Sequence, residues 1–361
     1  MRWVTVVVLS TLGATARSDA PSIRLAAAPE RGSVVLLLGA PPAALVQETL
    51  AIALPPGQTT LALSWAGTKL AGDSIRLGLA DPSVHVAGPR FPAAHPQQAE
   101  WTLNAAQGGP TEVTFEYLMG GLTWEPEYSL LLSDQGAGLL SGFAVVRNDT
   151  GEDFRGAQID LGLPNRLTAD LEQGRVLRAP YLPEARVACR LVHVFEGAAS
   201  PDTSIRVELA NTTEAGLGVV PLPAGKMRLF EDRGGDRLLM GEVRLPATPV
   251  DAETEFTLGT ARELSVERRV LRVADVDVKQ DVHGRMALWN REEEVAFLVE
   301  SRKNEDVLLR IVETLDGEWK MLSNSHEFEP EDAARIEFIA PIPAHSEVTV
   351  KYKVRRLNLM P

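Results

Sequence analysis

Aromatic side chains that could stack on a ligand are concentrated in residues 120–132 (GGLTWEPEYSLLL). Trp124 and Tyr128 are four residues apart, so in an extended strand, whose side chains alternate between two faces, both rings lie on one face. Exposed rings in this arrangement can stack on a sugar or a peptide, and Trp101 is a third candidate for the same role. The same spacing is typical of rings that pack into a core and bond their polar ends to the backbone. Both interpretations remain open: a binding site at Trp124, Tyr128 and Trp101, or a packing node.

Two groups of acidic side chains could bind a cation. They are Asp149, Glu152 and Asp153, and Asp275, Asp277 and Asp281. Calcium takes several oxygen ligands, but neither group has the alternating spacing of a dedicated calcium loop. Solvated turn and strand residues are the favoured interpretation, so the sequence predicts no metal site and no cofactor.

The residues that an acid–base or nucleophilic enzyme needs do not form a known motif here. None of the six histidines belongs to an HExxH or HxH pattern, and no serine lies in a GxSxG turn. Cys189 and His193 are four residues apart, which is about 13 Å along a strand and too far for a thiolate–imidazole pair. The glycines at 216 and 218 precede a strand pattern, whereas a dinucleotide loop precedes a helix. The sequence therefore predicts no catalytic residues and a protein that is not an enzyme.

Apolar and polar side chains alternate along much of the chain. This pattern predicts short extended strands, and the candidate site residues named above would lie on them or in their turns. Residues 61–65 and 348–354 are clear examples, with Val348, Val350 and Tyr352 separated by Thr349 and Lys351. This alternation is what a half-buried antiparallel strand requires. No segment has a convincing helical period. The sequence predicts an all-β protein of two or three antiparallel, immunoglobulin-like β-sandwich domains in series.

The predicted domains follow breaks in this pattern. A chain of 361 residues is longer than one ordinary core needs. Gly120–Gly121 interrupts the first run of strands, and a second boundary falls near residue 265. About seven short strands follow it, as in an immunoglobulin-like sandwich. The predicted segments are a signal peptide (1–20), an N-terminal β-sandwich (21–119), a central β domain (120–265) and a C-terminal sandwich (266–361).

The N-terminus has the organisation of a secretory signal. Arg2 is followed by an apolar run at residues 3–12, and small residues at 14–16 or 18–20 offer a cleavage site. A bilayer span needs about 20 apolar residues, roughly twice this run, and no later segment is apolar enough. We expect an exported protein, periplasmic or secreted, without a membrane span after signal removal. A buried N-terminal strand or a retained anchor is the alternative.

Charge and cysteine content restrict the partners. The formal net charge is −13, and the basic residues form no stripe that could neutralise nucleic-acid phosphates. We therefore predict no nucleic-acid partner. Cys189 is the single cysteine, so a disulfide within the chain is impossible. The favoured interpretation of Cys189 is a buried apolar residue, with pairing between chains as the alternative. The oligomeric state stays open.

Residues 120–165 resemble a C-terminal domain of unknown function in mucoidy-inhibitor-A-like bacterial proteins. The shared features are a Trp-x-Pro-x-Tyr strand, a strand that ends in Asn, and a Gly-Glu-Asp-Phe turn. The matching residues are Trp124, Pro126, Tyr128, Asn148, Gly151, Glu152, Asp153 and Phe154. Residues 216–232 (GLGVVPLPAGKMRLFED) resemble another strand of that domain. Many members carry a long coiled coil that this chain lacks, so a function that depends on it is not implied here.

The resemblance implies a protein of the cell envelope without an agreed activity. Our leading hypothesis is an exported, non-enzymatic protein that acts through protein or glycan interactions. An exposed sheet edge can accept a partner's strand, and residues 348–354 and the predicted hairpin at 226–245 are the candidate edges. The alternative is a carbohydrate-binding or carbohydrate-active protein that uses Trp124, Tyr128 or Trp101 with nearby acids. A purely structural role is a third hypothesis.

Overall fold

The computed structural model describes most of the chain. The described ranges are residues 22–26, 32–39, 43–133, 136–197, 201–233 and 235–361. The predicted signal peptide, residues 1–20, lies outside them. Within these ranges the chain is almost entirely β-strand, and its one helical element is a short 3-10 turn at Gly72–Ser74. The prediction of an all-β fold with mostly antiparallel sheets is confirmed.

The strands are numbered here in chain order. The first eight are β1 (Ser22–Ala26), β2 (Ser33–Leu37), β3 (Ala44–Leu54), β4 (Gly57–Ser64), β5 (Arg76–Leu79), β6 (His85–Arg90), β7 (Gln98–Ala105) and β8 (Gly109–Met119). The next nine are β9 (Leu122–Ser133), β10 (Ala137–Asn148), β11 (Phe154–Asp160), β12 (Leu167–Leu171), β13 (Arg175–Phe195), β14 (Thr203–Ala210), β15 (Gly225–Arg233), β16 (Asp236–Leu245) and β17 (Glu253–Thr260). The last seven are β18 (Leu264–Gln280), β19 (Met286–Ser301), β20 (Val307–Thr314), β21 (Glu318–Asn324), β22 (Phe328–Pro330), β23 (Arg335–Ile342) and β24 (Glu347–Leu359).

The contacts between residues divide the chain into two compact units. Unit 1 comprises the described residues up to Tyr128 together with Ser141–Pro183, and unit 2 comprises Ser129–Leu140 and Glu184–Pro361. Strands β9, β10 and β13 each contribute residues to both units. The predicted consecutive segments 21–119, 120–265 and 266–361 divide the chain differently, because a boundary in the sequence pattern cannot reveal that one long strand serves two units.

Unit 1 contains a four-stranded sheet, β1-β4-β7-β6, and a six-stranded sheet, β12-β11-β2-β3-β8-β5. Alternate residues of both sheets form one hydrophobic core. Leu61 and Leu63 come from β4, whereas Phe115 and Tyr117 come from β8, and all four are buried. Period-two alternation places every second side chain on the covered face of each strand, so the core follows directly from the sequence pattern.

Unit 2 contains the four-stranded sheet β18-β19-β24-β21, whose core is shared with residues of β13, β20 and β23. Aromatic rings occupy the centre of this core. Phe297 of β19 lies 6.0 Å from Phe195 of β13 and 6.1 Å from Tyr352 of β24, measured between ring centroids. Tyr352 in turn stacks on Phe338 of β23, with centroids 5.3 Å apart. Strands β13, β20 and β23 are neighbours in a second sheet, and these four rings join the two sheets of unit 2.

The two candidate sheet edges differ in the structure. The predicted hairpin at 226–245 is confirmed as β15 and β16, which pair in antiparallel register. The alternation predicted at 348–354 is also confirmed, because Val350, Tyr352 and Val354 are buried. That strand, β24, pairs with β19 on one side and β21 on the other. It is therefore an inner strand, and its prediction as an exposed edge is wrong.

Glycine is required where the turn after β10 meets the turn after β4. Gly151 has a φ of +104°, and a Cβ atom there would lie 2.2 Å from the carbonyl oxygen of Gly67. The two backbones therefore touch, and any side chain at position 151 would separate them. The family-like sequence NDTGED needs its glycine for this contact.

We expect Gly151→Ala to lower the free energy of unfolding by about 3 kcal/mol, because left-handed strain and a backbone displacement add together. Gly174 provides the matched control. Its φ is also positive, +72°, but nothing lies within 4 Å of an added Cβ. Gly174→Ala should cost only about 1 kcal/mol. Chemical denaturation of the purified variants measures both values, and equal losses would contradict the importance of the contact.

Candidate functional site

Trp101, the first predicted ligand-binding aromatic, lies in the core of unit 1. Its residue is only 2% exposed, and its ring lies 5.6 Å from the ring of Phe115 between centroids. Neither face of the indole is open to solvent. The structure gives this ring a packing role.

Trp124 and Tyr128 lie together, as their spacing predicts. Both contact Tyr181 of β13 in edge-to-face arrangements, with centroids 6.4 Å and 6.2 Å away. Tyr128 is 2% exposed, whereas Trp124 and Tyr181 are partly buried against the unit 1 core. Burial raises the pKa of Tyr128 and raises the pKa of Tyr181 to about 12, so both phenols stay protonated. Of the two predicted rings in this cluster, only Trp124 keeps part of its surface exposed.

Arg178 of β13 contacts two neighbouring side chains, Glu127 of β9 and Phe143 of β10. The guanidinium of Arg178 lies 3.4 Å from the centroid of the Phe143 ring and donates a hydrogen bond of 3.3 Å to Glu127. A cation over an aromatic face is stabilising, although exposed examples contribute only about 0.5–1 kcal/mol. The guanidinium of Arg178 and the carboxylate of Glu127 neutralise each other's charge.

The turn that carries the family-like motif is held by a buried side chain. Asn148, at the end of β10, donates Nδ2 hydrogen bonds to the carbonyl oxygens of Glu152 and Leu171, at 2.8 Å and 2.9 Å. Its Oδ1 accepts from the backbone N–H and the hydroxyl of Thr150. Asn148 and Thr150 are fully buried. The motif therefore specifies a turn, and the acids that looked like cation ligands belong to that turn.

Unit 2 repeats this arrangement at Asn211, directly after β14. Its Nδ2 lies 3.0 Å from the carbonyl oxygens of Val220 and Pro249, and its Oδ1 accepts from the N–H of Gly218 at 3.0 Å. Asn211 is also fully buried. An asparagine side chain can satisfy donors and acceptors of the backbone at once, which is what a buried, irregular turn requires.

A buried ion pair that we did not predict from the sequence joins the two sheets of unit 2. Arg268 of β18 donates from Nε and Nη2 to the carboxylate of Glu313 on β20, at 3.1 Å and 2.7 Å. Glu313 is almost completely buried. The hydrogen bonds to Glu313 raise the pKa of Arg268. A sequence signal did exist, because Glu313 continues the inward series of Leu309 and Ile311.

Two further titratable side chains are buried on β13. Burial raises the pKa of Cys189 to about 11, so its thiol is protonated, and its predicted burial is confirmed. His193 is also buried, and neither ring nitrogen has a hydrogen-bond partner among the described residues. Burial, followed by the charge of Lys303, lowers the pKa of His193 to about 4. The two side chains form no catalytic pair.

An open cleft of about 580 Å³ lies in unit 2 beside β13, β14 and β17. Arg310 lies in its wall and bonds three carboxylates: Glu208, Glu255 at 2.8 Å and Glu337 at 2.5 Å. Both arginines that line the cleft, Arg190 and Arg310, are paired with carboxylates. Neither guanidinium therefore carries an unneutralised charge that would attract an anionic ligand. We interpret the cleft as the surface of an ion-pair network.

Six of the large apolar residues that unit 2 exposes lie on the β18–β19 hairpin. These strands contain 17 and 16 residues, whereas β20 and β23 contain 8 each. The core contacts of the hairpin end at Val266 and Val295. We call residues 270–291, which lie beyond those contacts, the arm. Its exposed apolar residues are Val270, Leu271, Val273, Val278, Val282 and Met286.

The arm also has a free edge. Among the described strands, β18 pairs with β19 and with no other. Irregularities interrupt the pairing between Val270 and Arg272 and between Val276 and Lys279. Residues 272–276 between them are regular. The β15–β16 hairpin offers a less open edge, because Leu258 of β17 packs against Gly241 of β16.

The second acidic group lies on the arm and makes ordinary surface contacts. Asp275 accepts hydrogen bonds from Arg291, Asp277 from Asn290, and Asp281 from its own turn. Nowhere in the described ranges do three or more His, Cys, Asp or Glu side chains group so that they could hold a metal ion. No helix in the described part of the chain is long and apolar enough to cross a membrane.

No known family model matches this chain, and no curated protein shows significant similarity to it. The resemblance of residues 120–165 to mucoidy-inhibitor-A-like proteins therefore stays a prediction. The arrangement of the described residues carries the functional argument instead.

Trp124→Ala should lower the free energy of unfolding by about 3 kcal/mol, because it removes a partly buried ring from the contact with Tyr181. Phe91→Ala is the matched control, since Phe91 is aromatic but mostly exposed, and it should leave stability nearly unchanged. Thermal unfolding of both variants provides the measurement. If Trp124→Ala is as stable as the wild type, the ring has no packing role.

His193 should make the protein less stable in acid. The unfolded chain binds a proton at the ordinary histidine pKa of about 6.5, whereas the folded chain does so only near 4. Stability is therefore fully present above pH ~6.5 and falls between there and pH ~4, by about 3 kcal/mol. His193→Leu should reduce this loss, and the exposed His283→Gln should not. Unfolding curves at pH 7 and pH 4 measure it, and equal losses in wild type and His193→Leu would contradict the assignment.

Proposed function

We propose that this chain is an exported, non-enzymatic protein of the cell envelope that acts through protein–protein interactions, with the arm as its binding surface. The observation that carries the proposal is the exposure of apolar side chains along a sheet edge without a second neighbour among the described strands. A free edge presents backbone N–H and C=O groups to which a partner strand can bond.

The apolar residues of the arm favour a protein partner. Val270, Leu271 and Val273 are each about half exposed although they are large and apolar. Removing apolar surface from water stabilises a complex by about 25 cal/mol per Å². Charged residues of the same hairpin, among them Arg272 and Asp275, would supply the polar surroundings typical of interfaces between proteins.

Two sequence features support the envelope part of the proposal. Residues 1–20 have the order of a secretory signal, with a cation, an apolar run and small residues. Residues 120–165 resemble the mucoidy-inhibitor-A-like proteins, and we propose that the chain is related to that family. The buried Asn148 gives the shared motif a physical role, because its hydrogen bonds define the turn that the motif encodes.

Carbohydrate binding receives less support. It requires an exposed ring beside a carboxylate, but Trp101 and Tyr128 are buried. Trp124 is the one predicted ring with exposed surface, and the nearby Glu127 bonds to Arg178. No contact among the described residues favours a sugar over the packing role of this cluster.

We expect Val273→Glu to abolish capture of the partners that wild-type protein binds in extracts of envelope fractions, because a carboxylate on the arm cannot be buried against an apolar surface. Val176→Glu is the matched control. Val176 is an equally exposed strand valine of unit 1, 47% against 52% for Val273. Quantitative mass spectrometry after cross-linking and pull-down measures capture. Equal capture by wild type and Val273→Glu would contradict the proposal.

A further inference from the structure

We propose that the occupant of the arm's edge is a second copy of this chain. In this dimer, residues 272–276 of the two β18 strands pair in antiparallel register about a twofold axis at Ala274. The inference rests on the proposed function, because it names the partner of the same edge. It makes the arm a symmetric interface between identical subunits.

The irregularities of β18 restrict where such pairing can occur. Within the arm, breaks in register on either side leave residues 272–276 as the only run in regular pairing with β19. An extra residue in a strand interrupts the ladder and bends the strand, so a partner strand cannot follow the edge past these positions. The segment available to a second copy is therefore five residues long, with Ala274 in the middle.

Symmetry and charge then select one register. A twofold axis perpendicular to the sheet places the central residue opposite itself. Centring on Arg272 or Asp275 would set like charges directly opposite each other, which is destabilising. Centring on Val273 or Val276 would carry the pairing into an irregular position. Centring on Ala274 uses all five positions and sets no like charges opposite, with Arg272 across from Val276 and Val273 across from Asp275.

The charge order of β18 is complementary to itself in this register. Arg272 precedes Ala274, whereas Asp275 and Asp277 follow it. Antiparallel pairing brings Arg272 of each strand beside the end of the other strand that carries these two acids. Arg272 makes no ion pair with any described residue. The carboxylate of Asp277 lies 3.7 Å from Arg355 of its own chain, yet its side chain remains 61% exposed. A long side chain such as Arg272 reaches diagonal positions on a neighbouring strand.

The side chains around Ala274 can pack in a dimer, and the symmetry of the contact limits the assembly to two copies. Alanine at the axis lets the two backbones approach without a steric conflict. Val273, Val276 and the exposed Leu271 surround it and would lose contact with water on association. Because the axis is twofold and occupies the single regular part of the arm's edge, each copy offers this surface to one partner, and the contact does not propagate into a filament.

The first test is charge reversal in the purified full chain, measured by sedimentation equilibrium. Wild type should show a concentration-dependent dimer. Arg272→Asp and Asp277→Arg should each weaken it by about tenfold, because each creates two like-charge contacts. An equimolar mixture of the two variants should recover the wild-type affinity, since every contact in the mixed dimer is then between opposite charges. A wild-type protein that is monomeric at all concentrations would overturn the proposal, as would a mixture no tighter than its components.

The second test does not depend on charge. Ala274→Cys places two thiols opposite each other at the axis, so mild oxidation with copper phenanthroline should give a covalent dimer. Val282→Cys is the control at the 95% exposed tip of the arm, and it should cross-link much less. Cys189 is buried and contributes little background. Equal cross-linking of both variants would overturn the register.

The two proposals fail in different ways. If purified protein is monomeric while Val273→Glu still loses its captured partners, the arm binds another protein and the second copy is excluded. If Val273→Glu changes neither self-association nor capture, the proposed function fails as well. Circular dichroism and thermal unfolding of every variant establish that each comparison is made between folded proteins.

Discussion

The fold of unit 2 depends on the neutralisation of one buried carboxylate. Glu313 faces the core from β20, and removing a charge from water costs several kcal/mol unless a partner matches it. Arg268 supplies that partner from β18, in the opposite sheet. The pair fixes where β18 crosses β20, two residues before Val270. The arm therefore leaves the sandwich from an anchored point, and aromatic contacts around Phe297 hold the same region.

Side chains that suggest chemistry in the sequence serve mainly to hold strands and turns in this molecule. Trp101 fills the core of unit 1 and Tyr128 is buried beside Tyr181, while Asn148 and Asn211 close buried turns at the ends of two strands. The surface acids of unit 2 neutralise neighbouring arginines such as Arg310. The exposed feature that stands out is instead apolar, and it is the arm. The arm is the part of the long β18–β19 hairpin that lies beyond the core contacts of Val266 and Val295.

Local sequence predicted the parts of the structure that depend on neighbouring residues. Alternation predicted β24, the glycine-rich connection predicted the β15–β16 hairpin, and the spacing of Trp124 and Tyr128 predicted that their rings share one face of a strand. The neighbours of β24 depend on pairing with distant strands, which alternation does not encode, so its exposure was predicted wrongly. His193 and Glu313 could have been found from their inward positions in alternating strands. Arg268, the partner of Glu313, could not, because it comes from a sequence-distant strand.

The two buried asparagines have a consequence for producing the protein. Asn148-Asp149-Thr150 and Asn211-Thr212-Thr213 both have the form of an acceptor for N-linked oligosaccharide. The amide nitrogens in question are the ones that bond Glu152 and Val220 inside closed turns. A glycan attached to either nitrogen during translocation has no space in the native turn. A eukaryotic secretory host would therefore modify the chain at the two positions where modification is incompatible with folding, whereas a host without that enzyme system leaves both turns free to close.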